Sequence, residues 1–214
     1  MMLFADPLIP GLELREEFIG EEEERALIAR IEGLGLAPFR FQGWEARRLT
    51  KSFGWRYDFE DSSFTQAEPV PGWLEPLRQR AAAFAGLAAE DFAHALVIRY
   101  DPGAGIGWHR DRPQFDRVVG VSLGTPTIMR FRQRTASGFR RVSVELPPRS
   151  AYLLAGEVRS DWEHSIAAHD GLRFSVTFRS LSERGLRSRS APRPASAPRS
   201  KRRGRSDRAA GPIR

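Results

Sequence analysis

A histidine and a carboxylate lie two residues apart near the middle of the chain, at His109 and Asp111. A glycine-rich turn precedes them, and before the turn comes the short apolar run 95–98, which has the length of a strand. In extended backbone, residues i and i+2 face the same side, so both side chains can reach one point. Imidazole nitrogen with carboxylate oxygen is the donor mixture of a 2-His-1-carboxylate site for non-heme Fe(II). An isolated His-x-Asp is more often an ordinary turn, so the rest of the chain must decide.

Two further segments carry groups of matching chemistry. His164 lies in Trp-Glu-His-Ser-Ile, and the segment 173–179 alternates polar with apolar side chains. Its polar members are Arg173, Ser175, Thr177 and Arg179. The alternation predicts a strand with one polar face, which points either to water or into a barrel. In a barrel, the guanidinium forks would bind carboxylates, and two arginines favour a dicarboxylic cosubstrate.

The elements that must position these groups change in kind along the chain. Apolar periodicity predicts helices over Glu21–Gly33 and Trp73–Phe84, the second ended by Gly86. From residue 93 onward the pattern is one of short strands between Gly- and Pro-containing turns. The predicted strands are 95–100, 117–123, 127–132, 142–146, 151–154 and 173–180. Helices followed by many short strands indicate a β-sandwich, jelly roll or barrel in the second half.

Composition narrows the possible chemistry. The 214 residues include no cysteine, so disulfides, thiolate metal sites and a Cys nucleophile are excluded, and a metal would need His, Asp or Glu. Of the four histidines, His94 and His169 are expected at the surface or behind a ligand rather than as ligands. No apolar run approaches the ~20 residues that span a bilayer. We therefore expect a cytoplasmic protein that does not enter membranes.

Positive charge is concentrated at the C-terminus. The whole chain carries a net charge of +7, but residues 182–214 hold eleven Lys or Arg against two acids. Residues 1–181 consequently have a net charge of −2. The segment 182–214 is rich in Arg, Ser and Pro and poor in core-forming residues, so it is predicted to be disordered. It would act either as a solubilising extension or through nonspecific contacts with phosphates.

Aromatic and basic residues interleave over residues 36–66. This segment is a possible substrate lid whose rings could stack on bases, with Trp44, Arg48, Trp55 and Tyr57 as the candidate substrate contacts. The competing interpretation is that the aromatic side chains pack on a sheet as ordinary core.

Taken together, these segments resemble the AlkB family of Fe(II)/2-oxoglutarate dioxygenases over about residues 40–181. The resemblance rests on His109-x-Asp111, the later His164, and Arg173-x5-Arg179. The order and spacing of three weaker matches agree with it: Tyr100-x-Pro-Gly-Ala, Ser122-Leu-Gly and Arg48-x4-Phe-Gly-x2-Tyr57. It implies an α+β chain with a double-stranded β-helix (jelly-roll) core over 93–181, N-terminal helices and the recognition lid 36–66. Residues 1–181 would form the domain.

The resemblance also implies roles for individual residues. His109, Asp111 and His164 would hold Fe(II), and Arg173 would pair with the distal carboxylate of 2-oxoglutarate. Tyr100 and Ser175 would assist Arg173, and Arg179 would lie near the end of the cosubstrate that chelates iron.

The implied reaction is oxidative demethylation or dealkylation with O2, most simply of N-alkylated nucleic acid in DNA or RNA repair, by a monomer. Ile98 stands where many members of the family have Asn, and Pro113 where several nucleic-acid demethylases have an acid. Two alternatives therefore stay open: a dioxygenase acting on a protein or small molecule, and a non-catalytic jelly-roll binding module.

Overall fold

The computed structural model describes residues 8–41, 44–57 and 64–190, with the side chains of 40–45, 56–57, 64 and 190 left out of the description. Within that part of the chain, no helix is long and apolar enough to cross a membrane.

Four helices and twelve strands make up the described fold. The helices are α1 (Glu21–Glu32), α2 (Glu75–Ala85), α3 (Gly156–Ser160) and α4 (Glu183–Ser190), with short 3-10 turns at Gly72–Leu74 and Ala89–Asp91. The first six strands are β1 (Leu12–Arg15), β2 (Ala37–Phe41), β3 (Trp44–Tyr57), β4 (Phe64–Gln66), β5 (His94–Tyr100) and β6 (Ile106–His109). The last six are β7 (Phe115–Gly124), β8 (Thr127–Thr135), β9 (Gly138–Leu146), β10 (Ala151–Leu154), β11 (Glu163–Ile166) and β12 (Arg173–Leu181).

The strands form two antiparallel sheets. The large sheet has the order β1-β10-β7-β12-β5-β3-β2, with β4 added to β3, and the small sheet has the order β6-β11-β8-β9. Apolar side chains from both sheets meet in one buried cluster, to which Val118 and Leu154 contribute from the large sheet and Met129 and Phe131 from the small one. The arrangement confirms the predicted jelly-roll core.

Helices α1 and α2 cover the other face of the large sheet. Leu27 and Ile31 of α1 and Leu77 of α2 share one buried cluster with Val176 and Phe178 of β12. Because Phe174, Val176 and Phe178 point to the helices, the alternate residues of β12 point into the space between the sheets. Every residue from Arg173 to Ser180 is buried, so the polar face of this strand lies inside the barrel and not in water.

Both predicted helices are confirmed within two residues at each end. Gly86 adopts a left-handed conformation (φ 64°) after α2, as its predicted role as a helix stop requires. Of the four glutamates that begin α1, Glu24 is buried. Its Oε1 accepts a hydrogen bond from the backbone N–H of Gly124 (2.8 Å), and its Oε2 lies 3.2 Å from Arg149. This glutamate ties the helix to the large sheet.

The prediction of disorder is wrong for residues 182–190. Ser182 directly precedes α4, and its Oγ accepts a hydrogen bond from the N–H of Gly185 (3.1 Å) while donating one to the carbonyl of Pro113 (2.6 Å). A serine cap and its anchorage to a neighbouring loop supply local stability that composition does not register. Residues 191–214, the rest of the predicted tail, lie outside the described part of the chain.

Candidate active site

The small sheet brings two distant histidines together. His109 in β6 is the cross-strand partner of His164 in β11, and their ring centroids are 4.3 Å apart. Nδ1 of His109 lies 2.9 Å from the carbonyl oxygen of Gly107. Since a carbonyl only accepts, Nδ1 carries the proton and donates, which leaves the lone pair on Nε2 of His109.

Asp111 lies just beyond β6 and is held by an arginine of the large sheet. Its Oδ1 accepts a hydrogen bond from Nε of Arg179 (3.0 Å) and forms an ion pair with Nη2 of the same arginine (2.9 Å). The other oxygen, Oδ2, is buried and has no hydrogen-bond partner among the described residues. It lies 3.9 Å from Nε2 of His164. A buried, unpartnered carboxylate oxygen beside two imidazoles is a site that favours a cation.

The charges of these groups suit metal binding. Burial alone would raise the pKa of Asp111, but the neighbouring groups, Arg179 first among them, together outweigh burial and hold that pKa well below its usual range. Burial lowers the pKa of His164 to about 3 and also lowers the pKa of His109. Near neutral pH the donors are one carboxylate and two neutral imidazoles, the forms that bind metal ions.

The donor set therefore fits a divalent metal such as Fe(II). Within the described residues, no group of three or more His, Cys, Asp or Glu side chains is arranged so that it could hold a metal ion as it stands. The fit consequently rests on the type, charge and burial of the donors, with the unpartnered Oδ2 of Asp111 as its sharpest feature.

A second polar group in the interior suits a carboxylate. Arg173 is 1% exposed, and its Nη2 donates to Oγ of Ser122 (3.3 Å). Nε and Nη1 of Arg173 are buried with no hydrogen-bond partner among the described residues. A guanidinium with unused, buried N–H groups is costly unless an anion pairs with it. The predicted cosubstrate carboxylate would satisfy it.

The other predicted cosubstrate residues surround Arg173. Tyr100 is its cross-strand partner, and the guanidinium carbon lies 5.0 Å from the centroid of the Tyr100 ring. Ser175 is 2% exposed on the same inward face, where its neighbours across the sheet are Ile98 and Ser122. The structure thus groups Arg173, Tyr100 and Ser175 on the large sheet. Arg179, on the same strand as Arg173, pairs with Asp111, and Asp111 lies beside the histidines of the small sheet.

Of the predicted lid residues, Arg48 comes towards this interior. Burial lowers its pKa, and its charge acts on both Tyr100 and His109. Its guanidinium also stacks on Phe39, at 4.2 Å from the ring centroid. Trp55 lies at the other end of β3, where the guanidinium of Arg189 in α4 approaches its ring (5.8 Å). The side chains of Trp44 and Tyr57 lie outside the description.

Two interior residues were not assigned to the site from sequence. His94 is 5% exposed, so a surface position is wrong; its Nδ1 lies 3.4 Å from Nη1 of Arg179, the arginine that pairs with Asp111. Tyr152 is buried across from Gly120, and a Cβ on that glycine would lie 2.2 Å from the tyrosine ring. Since Gly120 also pairs with Thr177 of β12, the ring lies between the positions of Arg173 and Arg179. A glycine in the middle of the apolar strand β7 was the available signal for this close approach.

The metal-free protein should lose stability as the pH falls below about 6.5, the pKa of an unfolded histidine. Burial lowers the pKa of His94 well below that value and the pKa of His164 to about 3, so only the unfolded chain takes up these protons. Each histidine then contributes up to about 1.4 kcal/mol per pH unit to the decline in the free energy of unfolding. Urea unfolding at about pH 7 and pH 5 measures this decline. In His94→Gln, the free energy of unfolding should fall less between the two pH values. Equal stability at both pH values would contradict this description of the interior.

The chain matches one family model and several curated proteins. Residues 17–179 match the family model described as the 2OG-Fe(II) oxygenase superfamily. The chain is 29% identical over 171 residues to the tRNA (carboxymethyluridine(34)-5-O)-methyltransferase alkbh8 of Xenopus tropicalis, covering 77% of this chain and 26% of that protein. It is 29% identical over 187 residues to the Alkylated DNA repair protein ALKBH8 homolog of Arabidopsis thaliana, covering 75% of this chain and 52% of that protein.

A solved structure shares the fold. The structure of OsALKBH1 superposes with a TM-score of 0.64 and 17% sequence identity, covering 82% of this chain and 99% of that one. The chain spans about a quarter to a half of the length of the two curated relatives described above. The family match covers both histidines, Asp111, Arg173 and Arg179. The chain therefore belongs to the 2OG-Fe(II) oxygenase superfamily and, within it, to the AlkB family of dioxygenases that use Fe(II), 2-oxoglutarate and O2.

Proposed function

We propose that this chain removes N-linked alkyl groups from nucleic acid by Fe(II)- and 2-oxoglutarate-dependent oxidation. In this proposal, His109, Asp111 and His164 bind the iron, and Arg173 binds the distal carboxylate of 2-oxoglutarate. One observation carries the assignment: the interior holds both a buried carboxylate oxygen without a partner, on Asp111, and a buried guanidinium with unused N–H groups, on Arg173. A cation and a dicarboxylate supply the missing partners of both.

The bound iron would supply oxidation of a substrate C–H by O2, coupled to conversion of 2-oxoglutarate to succinate and CO2. On an N-methyl group, insertion of oxygen gives N–CH2–OH. Its C–N bond then breaks, formaldehyde leaves, and the nitrogen takes the hydroxyl proton. The C–N cleavage and the proton transfer to nitrogen need no further reagent.

The chain's own residues hold the reacting groups in place. Arg179 orients Asp111 by binding Oδ1, which leaves Oδ2 free to hold the cation when it is bound. The carbonyl of Gly107 orients His109 in the same way through its Nδ1. Tyr100 lies under Arg173 and Ser122 binds its Nη2, so the guanidinium is positioned before the cosubstrate arrives. Burial of these groups excludes water and strengthens each charge interaction.

Nucleic acid is the substrate class best supported. The two curated relatives carry names that refer to tRNA and to alkylated DNA. Arg48, whose charge acts on both Tyr100 and His109, is a cation near the interior that could meet a phosphate. Pro113 is exposed and its carbonyl is bound by Ser182, so a base would be recognised here by groups other than a carboxylate at that position.

Formaldehyde release tests the substrate class. The iron-loaded full chain would be given 2-oxoglutarate, O2 and either N-methylated single-stranded DNA, N-methylated RNA or a methyl-lysine peptide, with the unmethylated forms as controls. We expect formaldehyde from at least one methylated nucleic acid, in amounts equal to the succinate formed above the unmethylated control. Release from the peptide alone would replace the proposal by the protein dioxygenase. Iron binding without any succinate would favour the binding module.

A further inference from the structure

The outer face of the small sheet carries a group of four arginines, which we call the arginine face. Arg130, Arg132 and Arg134 alternate along β8 with the buried Met129 and Phe131, so their side chains point away from the interior. Arg141 of β9 is the cross-strand partner of Arg132 and lies on the same face. Arg134 and Arg141 are exposed, and Arg130 and Arg132 are half-buried.

Two aromatic rings stack between these guanidinium groups. The guanidinium carbons of Arg130 and Arg132 lie 5.3 Å and 4.5 Å from the ring of Trp108 in β6. Phe139 of β9 is approached by Arg132 (4.7 Å), Arg141 (5.4 Å) and Arg134 (5.9 Å). Within this described sheet, the rings and guanidinium groups form one continuous row from β6 across to β9. Such cation–π stacking restricts the arginines without neutralising them.

Hydrogen bonds further orient the two inner arginines. Nε of Arg130 donates to Oγ of Ser165 (3.2 Å), and Nε of Arg132 donates to Oε2 of Glu163 (2.6 Å). Both contacts use the Nε side of the fork. A guanidinium whose flat face and Nε are already held loses little further freedom when its terminal nitrogens bind an oxyanion.

The charge of the arginine face differs from that of the rest of the body. Residues 1–181 have a net charge of −2, yet this face carries four arginines against Glu163, which is paired with Arg132, and Glu145 towards the end of β9. A cationic sheet face on a slightly acidic body is complementary to a polyanion. Trp108 and Glu163 directly precede His109 and His164, so the arginine face is the reverse side of the strands that carry the two histidines.

We propose that the arginine face binds the phosphate backbone of a single-stranded nucleic acid, independently of base sequence, and keeps the strand beside the active site. This inference rests on the proposed function for the identity of the anion. The basic segment 191–214 is positively charged, as the arginine face is, so it is not the partner that this face binds. The acidic start of α1 in a second copy is a weaker candidate, since Glu23 and Glu24 are already bound by Arg80 and Arg149.

The test compares two double variants of the full chain with matched changes in charge. Arg134→Gln with Arg141→Gln removes two charges from the arginine face, and Arg25→Gln with Arg30→Gln removes two from α1, which covers the other sheet. Binding of fluorescein-labelled, unmethylated single-stranded DNA would be followed by anisotropy over a salt series. Loss of two phosphate contacts should reduce the slope of log K against log[salt] by about 1.4, or about 0.7 per contact. We also expect about tenfold weaker binding at low salt, and the α1 variant should behave as wild type.

Three results would overturn this inference. The first is an unchanged salt slope in the Arg134/Arg141 variant. The second is competition by polyglutamate as effective as competition by DNA, which would indicate an acidic protein partner. The third is wild-type self-association in sedimentation that this variant loses, which would indicate a second copy of the chain. Because the DNA is unmethylated, the assay needs no turnover. A failed formaldehyde assay with an altered slope would reject the proposed reaction and keep the surface.

Discussion

Replacement of Asp111 by Asn is expected to abolish tight Fe(II) binding and, with it, succinate formation. An amide cannot do both jobs of this side chain: if its oxygen faces Arg179, its NH2 group replaces the unpartnered Oδ2 and repels a cation. If it is turned, its NH2 group meets the donors of Arg179. Since loss of a mere outer partner costs about 10- to 100-fold in metal affinity, loss of a ligand should cost at least about 100-fold. Anaerobic calorimetry with Mn(II), which is stable to O2, measures this loss of metal affinity.

The control for this variant is Asp116→Asn, which removes an exposed carboxylate five residues along the chain. It should bind Mn(II) as wild type does. Asp111→Asn also leaves Arg179 buried without its anion, which can cost about 3–5 kcal/mol of stability. His109→Ala therefore serves as a second variant. Its ring is only half-buried, and removal of the ring leaves the Asp111–Arg179 pair intact. Wild-type Mn(II) affinity in a folded His109→Ala protein would show that the metal site lies elsewhere.

Replacement of Arg173 by Met should weaken cosubstrate binding without lowering the stability of the cosubstrate-free protein. The wild-type guanidinium has two buried nitrogens without partners, so an apolar side chain of similar length relieves a penalty of about 1–3 kcal/mol in the cosubstrate-free protein. The same change removes the anion's partner, and truncation of one member of a buried charge pair costs about 2–5 kcal/mol. We expect the Kd for 2-oxoglutarate to rise by at least about 30-fold in the Mn(II)-loaded protein, while urea unfolding of the free protein shows no loss of stability.

Arg99→Met is the matched control for Arg173→Met. Arg99 lies on the neighbouring strand β5, but its guanidinium pairs with Asp101 (2.8 Å) outside the interior. This variant should keep the wild-type Kd for 2-oxoglutarate. Two results would contradict the assignment of Arg173: unchanged affinity after Arg173→Met, or equal loss of affinity in both variants.

Much of the fold was predictable because its periodicities are local. The alternation in β12 identifies one polar and one apolar face, and burial of the whole strand shows that the polar face lines the interior. Helix α2 follows from its apolar stripe and from Gly86. The six predicted strands of the second half are all present, with ends that differ by a few residues because pairing with neighbouring strands extends them.

The strands that hold the histidines were not predicted from pattern. Strands β6 and β11 have four residues each, too few for a period to be recognised, and they exist because they pair with each other and with β8. The helix α4 was missed for a similar reason, since its first turn is stabilised by contacts of Ser182 with a loop far away in sequence. Long-range pairing is invisible to composition.

The site was predictable in its chemical types and less so in its connections. Spacing and the family resemblance suggested His109, Asp111, His164 and Arg173, which the structure places around one interior. The pairing of Arg179 with Asp111 and the support of Arg179 by His94 depend on the contact of two sheets, which the local sequence does not encode. Tyr152 was unpredictable for the same reason, because its place over Gly120 follows from the register of β10 with β7.

The dioxygenase active site is tested most directly by an anaerobic titration of the metal-free chain with Fe(II) and 2-oxoglutarate, followed by admission of O2 and measurement of succinate. We expect one iron per chain, slow succinate formation without a substrate, and loss of that succinate in His109→Ala and in Arg173→Met. If the wild-type chain binds no iron and forms no succinate even with methylated nucleic acid present, the assignment of this interior as a dioxygenase active site is wrong.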